Sequence, residues 1–192
     1  METLIKSIGK ITDIQVYDNF LDVDEFVSVY AYLCNKNSWI YGAKSRDDGE
    51  DFYDQVSGMS KTDASLFWRM ILTDDKYFSE YLFEKVKTIT KKDWDIEMIY
   101  ANGTTFGQGG DFHIDHENGY TFLIYNNIHW DVSWGGKTIF HDEDSNIHYV
   151  NPIPNRAILF PGTILHCSES PTRKFKGLRM TTAFKLFPKK ES

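Results

Sequence analysis

Residues 111–128 read DFHIDHENGYTFLIYNNI, two runs rich in aromatic and β-branched residues held apart by Glu117-Asn118-Gly119. Such residues favour the pleated, half-buried surface of a strand, and Asn-Gly favours the turn between two strands. Working outward, the same texture fills the second half of the chain. Strands are expected at 95–101, 111–116, 120–128, 136–140, 146–150, 156–160, 163–167 and 179–187, with Gly, Asn, Asp or Pro at most of the breaks. Eight short strands at this spacing predict a two-sheet antiparallel jelly roll. The fold class is therefore α+β but mainly β, with supporting helices from the first half packed outside.

That first half has a different pattern. "DVDEFVSVYAYLC" at 22–34 sets Phe26, Val29, Tyr30 and Leu33 at helical spacing, and Asp22 with Glu25 resembles a capping box. Two more helices are expected at 62–72 and 75–87, with Leu66, Met70, Phe78, Leu82 and Val86 facing inward. Between them and the first helix lies "YGAKSRDDGEDFYDQVSGMS" (41–60), a polar, glycine-containing, acidic stretch with aromatic Tyr41, Phe52 and Tyr53. A connection of that length is a candidate lid over a site. The chain reads as a single domain, 1–192, in which 1–94 is helical support with the candidate lid and 95–187 is the β core.

The bulk numbers narrow the function classes. With 192 residues, 41% hydrophobic and 16% aromatic, the chain can build one ordinary core, and disorder is a poor reading of it. A net charge of −7 argues against a broad nucleic-acid groove. Cys34 and Cys167 match no metal or redox spacing, so reduced thiols are expected. No stretch approaches a membrane span and the first residues lack the apolar run of a secretory signal. The expectation is a soluble, cytoplasmic protein.

All six histidines fall between 113 and 166. Two His-x-Asp triplets occur, 113–115 and 129–131, and a lone triplet is weak evidence. Strand geometry separates them. Alternate residues share a face, so His113 and Asp115 converge, whereas His129 and Asp131 run into the loop "VSWGG". "HDED" at 141–144 reads as a charged turn, and His116 and His148 as structural. The third member is His166 in "FPGTILHCSES", fifty-one residues after Asp115. In an eight-stranded jelly roll the second and seventh strands pair, which brings His166 beside the other two. Two imidazoles and one carboxylate leave three adjacent octahedral positions open, as non-haem Fe(II) needs for a chelating co-substrate and O₂. Zinc is the chemical alternative.

Thirteen positions after His166, Arg179 opens "RMTTAFKL", an apolar-alternating strand. A guanidinium pointing into a barrel needs an anion, because an unpaired buried charge is costly. Its planar fork matches a carboxylate bidentately, and Thr181 shares its face and can donate a hydroxyl hydrogen bond.

These pieces together resemble the Fe(II)/2-oxoglutarate-dependent dioxygenases, specifically the prolyl 4-hydroxylase-like branch. The resemblance covers about 95–187 and rests on "YANGTTFGQGGDFHID", "TFLIYNN", "WGGKTIF", "ILFPGTILH" and "RMTTAFKL", in the family's order and spacing. It implies a double-stranded β-helix in which His113, Asp115 and His166 bind iron. It implies that Arg179 with Thr181 anchors the distal carboxylate of 2-oxoglutarate, that Tyr125 assists the anchor, and that Tyr100 lies near the chelating end. Fe(II), 2-oxoglutarate and O₂ are then the cofactors and co-substrates, with ascorbate a candidate reductant. The implied reaction hydroxylates an aliphatic C–H and releases succinate and CO₂. A prolyl residue in a peptide or protein is the leading substrate, and a free amino acid or other small molecule the alternative. Asp115 argues against a halogenase, which vacates that position. Many members keep a basic residue nearer the distal histidine, so Arg173 and Lys174 in "SPTRKFKG" rival Arg179 for the anchor. A zinc hydrolase and a non-enzymatic metal-binding jelly-roll module are rivals from other classes; a zinc hydrolase has no need of a carboxylate anchor.

Overall fold

The computed structural model describes residues 9–45 and 65–189. After a short 3-10 turn (Ile11–Asp13), the described elements are β1 (Gln15–Tyr17), α1 (Val23–Asn35), β2 (Ile40–Ala43) and β3 (Phe67–Ile71). A wide π turn (Tyr77–Leu82) then runs into α2 (Phe83–Thr90), followed by β4 (Trp94–Thr104), β5 (Tyr120–Tyr125) and a 3-10 turn (Val132–Trp134). The chain continues through β6 (Thr138–His141), β7 (Ile147–Val150), β8 (Ala157–Pro161), β9 (His166–Ser168) and β10 (Arg179–Pro188). All pairings are antiparallel. The larger sheet runs β1-β8-β5-β10-β4-β3-β2 and the smaller β7-β6-β9.

Strand alternation divides the interior in two. Met180, Phe184 and Leu186 of β10 point to the outer face, where they join Phe26, Val29 and Leu33 of α1 and Phe78, Leu82 and Val86 of the second helical segment. Arg179, Thr181, Ala183 and Lys185 point the other way and line a cavity between the sheets. A smaller apolar cluster, Tyr125, Phe140, Ile158, Phe160 and Ile164, closes one side of that space. Between Lys185 and Leu186 the register against β4 jumps from Met98 to Ile96. This bulge flips the parity of β4, so Trp94 and Ile96 face the helices before it, and Ile99 and Ala101 do so after it. Helix α1 starts where the sequence predicts, with the Asp22 amide donating to Glu25 at 3.2 Å.

The jelly roll expected from the strand count is present, with several differences. Part of the helix expected at 62–72 is instead β3, paired through Trp68–Ile71 to Gly103–Tyr100 of β4. A short apolar run is ambiguous between helix and strand, and the open edge of β4 offers a ladder that decides it. The first half thus supplies sheet as well as helix. The run 111–116 shrinks to a single bridge at His113 because the chain then turns over Gly162, whose carbonyl accepts from the Asp115 and His116 amides at 2.8 and 3.2 Å. Of the expected lid, 41–43 belong to β2, and 46–60, with Phe52 and Tyr53, lie outside the described residues.

Candidate metal and co-substrate site

His113 and His166 face each other across a two-bond bridge, each amide donating to the other's carbonyl at 2.9 Å. Asp115, two residues on, comes to the same place. The ligand atoms of His113, Asp115 and His166 lie within 4.8 Å of one another. The second triplet is elsewhere: His129 is exposed against Trp134, and exposed Asp131 caps the 3-10 turn by accepting from the Ser133 amide at 2.8 Å. His116 packs edge-on against Phe187, and His148 binds Asp142 at 2.9 Å. The "HDED" turn is organised by Asp142, which accepts from the Asp144 and Asn146 amides.

The donor set fits a metal on the hydrogen-bonding evidence. Nδ1 of His113 sits 2.7 Å from the Asp111 carbonyl and Nδ1 of His166 sits 2.8 Å from that of Ile164. A carbonyl only accepts, so each Nδ1 carries hydrogen and each Nε2 is turned toward Asp115. Burial lowers the pKa of His166, outweighing the pull of Asp115, and favours a neutral imidazole with its Nε2 lone pair exposed to the site. Nε2 of His113 is 3.3 Å from Oδ1 of Asp115, and Nε2 of His166 is 3.4 Å from Oδ2. Lone pairs facing one another at that range call for a cation between them. Burial pushes the Asp115 carboxyl up, but the Lys185 ammonium beside it holds the carboxyl well below its ordinary range. The carboxylate is therefore ready as a ligand.

Arg179 lies at the far end of the same cavity lining. It is 2% exposed, its Nε donates to the Gly136 carbonyl at 2.7 Å, and its guanidinium sits over the Tyr125 ring at 5.7 Å. Its Nη2 is buried without a hydrogen-bond partner. Burial pulls its pKa down, yet a guanidinium stays charged in proteins. Thr181 and Tyr125 are register partners, so both flank this end, and the Tyr125 hydroxyl meets Thr138 at 2.7 Å. Tyr100 is one pair further along β10, opposite Ala183, and also lines the cavity. The rival cations differ: Arg173 is exposed and stacked on Phe106, and Lys174 is exposed.

Several contributing residues were not singled out from sequence. Lys185 and Thr121 both contact Oδ2 of Asp115. Asn127 clamps the entry to β10, accepting from the Met180 amide at 2.8 Å and donating to the Leu178 carbonyl at 2.9 Å, on either side of Arg179. Gly162 is the close approach under the Asp115 segment, since a Cβ there would lie 2.7 Å from the His116 carbonyl oxygen. Strand parity does mark Lys185, which shares its face with Arg179 and Thr181. Adjacent Asn126 and Asn127 at the end of an apolar strand are the second legible signal.

No protein-family model matches the sequence, and no curated protein matches it. Solved structures do match. A prolyl hydroxylase from Trichoplax adhaerens, in complex with a hypoxia inducible factor oxygen degradation domain peptide fragment, superposes with TM-score 0.67 at 16% identity, covering 93% of this chain and 84% of that one. A Pseudomonas putida prolyl-4-hydroxylase gives TM-score 0.65 at 13% identity over 92% and 93%. The non-heme α-ketoglutarate-dependent epimerase SnoN of nogalamycin biosynthesis gives 0.63 at 8% over 92% and 78%. At such identities the likeness carries the fold. This chain has the jelly-roll fold of the 2-oxoglutarate/Fe(II) oxygenases, prolyl 4-hydroxylases among them.

Proposed function

We propose that the protein is an Fe(II)- and 2-oxoglutarate-dependent oxygenase that hydroxylates an aliphatic C–H. One observation carries the reading: a single cavity is lined both by His113, Asp115 and His166 and by Arg179, whose buried Nη2 has no partner. In this reading His113, Asp115 and His166 hold the metal. Arg179 receives the distal carboxylate of the co-substrate, with Thr181 and Tyr125 beside it, and Tyr100 flanks the end nearer the metal. Bound iron, 2-oxoglutarate and O₂ supply the oxidising power, releasing succinate and CO₂. The protein orients these groups and keeps water from them. Lone pairs of the two imidazoles are kept on Nε2 by the Asp111 and Ile164 carbonyls. Gly136 keeps the guanidinium turned inward by accepting from its Nε.

A prolyl residue in a peptide or protein is the proposed substrate. Prolyl hydroxylases are among the matching structures. Beyond the small sheet, the inner face continues into exposed Ile71 and Met98, register partners of Tyr100 and Lys185, which offer apolar surface to the segment carrying the proline. A small-molecule substrate is the second reading. The same fold occurs in the α-ketoglutarate-dependent epimerase SnoN of nogalamycin biosynthesis, whose name points to a small-molecule pathway. The test is succinate formation from 2-oxoglutarate under aerobic Fe(II) conditions, alongside a panel of proline-containing peptides and free amino acids screened for a gain of one oxygen. Absence of succinate formation with every substrate, with metal bound, would refute the oxygenase reading. Oxygen gain in amino acids alone would select the second substrate class.

A further inference from the structure

Lys185 is neither a proposed metal ligand nor part of the co-substrate anchor, yet its ammonium group touches the carboxylate on which the site depends. It sits on the cavity face of β10, six residues beyond Arg179, which separates the two by roughly 20 Å of extended strand. The two cations therefore serve opposite ends. The Lys185 side chain is 14% exposed and that of Asp115 6%, and Nζ contacts Oδ2 of Asp115 directly. Nζ also donates to the Thr121 hydroxyl at 3.0 Å and lies 5.7 Å from the centroid of the Tyr100 ring. Thr121 in turn donates to Oδ2 of Asp115. Oδ2 is thus claimed by two donors on the wall of the main sheet, while Oδ1 remains turned toward His113.

We propose that Lys185 is a resident counter-cation of the metal centre, holding Asp115 in place by Oδ2 and competing with the metal ion for the same carboxylate. The inference rests on the reading that His113, Asp115 and His166 bind metal. Two consequences follow from charge. Without metal, the buried carboxylate is paired rather than isolated, so the site keeps its shape. With a divalent ion bound, two cations share one carboxylate at short range in a buried setting, and their repulsion weakens metal binding. Lys185 is accordingly a positioning residue that sets how firmly the metal is held.

The sign of the effect distinguishes this role from packing. In Lys185→Met the chain length and apolar stem are nearly kept and the charge is removed. Co(II), followed by its visible absorption, is the probe, with wild type, Lys185→Met and Lys185→Gln titrated in parallel. Both variants are expected to bind Co(II) at least tenfold more tightly than wild type. A folded variant, judged by a cooperative thermal transition, that binds Co(II) with unchanged or weaker affinity overturns the proposal. Should Lys185→Met not fold, Lys185→Gln decides. If neither folds, Lys185 is needed for the fold itself and the competitor role is overturned. His166→Ala separates the underlying reading: tight Co(II) binding that survives it, or no binding by wild type, refutes the metal centre and the Lys185 role together. Co(II) binding lost in His166→Ala but not strengthened in the Lys185 variants refutes the Lys185 role alone.

Discussion

Replacing Arg179 by Met should act in opposite directions on the free and the co-substrate-bound protein. In the free protein Arg179 is a buried charge whose Nη2 has no partner and whose Nε donates to the Gly136 carbonyl. A buried unsatisfied polar group costs about 1–3 kcal/mol, more when charged, so an apolar side chain of similar length removes a liability. The melting temperature of free Arg179→Met should therefore hold or rise. Binding behaves otherwise. Removing one partner of a buried, hydrogen-bonded charge pair costs about 2–5 kcal/mol, which raises Kd by about 30- to several-thousand-fold. A ligand at about 100 times Kd stabilises the folded state by about 2.7 kcal/mol, worth about 5–11 °C in a domain of this size. At the same concentration the variant is at or below about three times its Kd, and the shift falls to about 3 °C or less. The assay is thermal unfolding with Mn(II), with and without 2-oxoglutarate, in the absence of O₂. A variant that melts well below wild type on its own, yet keeps the full 2-oxoglutarate shift, would show that Arg179 is structural and the anchor lies elsewhere.

Asp115→Ala should abolish turnover and weaken metal binding, while His129→Ala should leave both near wild type; equal loss in an Mn(II) titration would mean the wrong triplet was chosen. Gly136→Ala puts a Cβ 2.8 Å from the Trp130 ring and 2.9 Å from Cδ of Arg179 at a φ of +74°. That backbone conformation costs about 1–2 kcal/mol for an L side chain, so both the melting temperature and 2-oxoglutarate affinity should drop; unchanged affinity would uncouple the turn from Arg179. The hydrogen bond from His148, helped by Asn146 and the turn amides, lowers the Asp142 carboxyl to about 2 from 3.8. A depressed carboxylate contributes stability that is present above 3.8 and lost as the pH falls through about 2. In pH-dependent melting, Asp142→Asn should therefore trail wild type at neutral pH and meet it near pH 2, and a gap that is constant with pH would rule the linkage out.

Much of the site was legible because strands have a period of two. His113 and Asp115 alternate, and Arg179, Thr181 and Lys185 share one parity, so side-chain direction follows from position alone. Parity turns Lys185 inward, although a lysine late in a strand ordinarily reaches solvent; its contact with Asp115 gives the charge a partner there. The strand β3 departs from the helix predicted there because Leu66 to Leu72 is a short, mostly apolar run whose state is set by a partner, β4, about thirty residues away. Three-residue β1 has too few residues to carry a period. The need for glycine at 162 comes from the approach of the His116 backbone from a distant segment, which no local pattern carries.

The place of β10 in the chain also governs how the molecule can be made. It is the last of the described strands in sequence, yet it lies in the middle of the larger sheet, between β5 and β4. Until it emerges from the ribosome, β4 and β5 each present an unpaired edge, and unpaired edges invite association with other chains. The same ten residues carry Arg179, Thr181 and Lys185. Completion of the sheet and completion of the cavity are thus one event during synthesis, and a nascent chain lacking β10 has neither the central ladder nor the guanidinium that awaits a carboxylate.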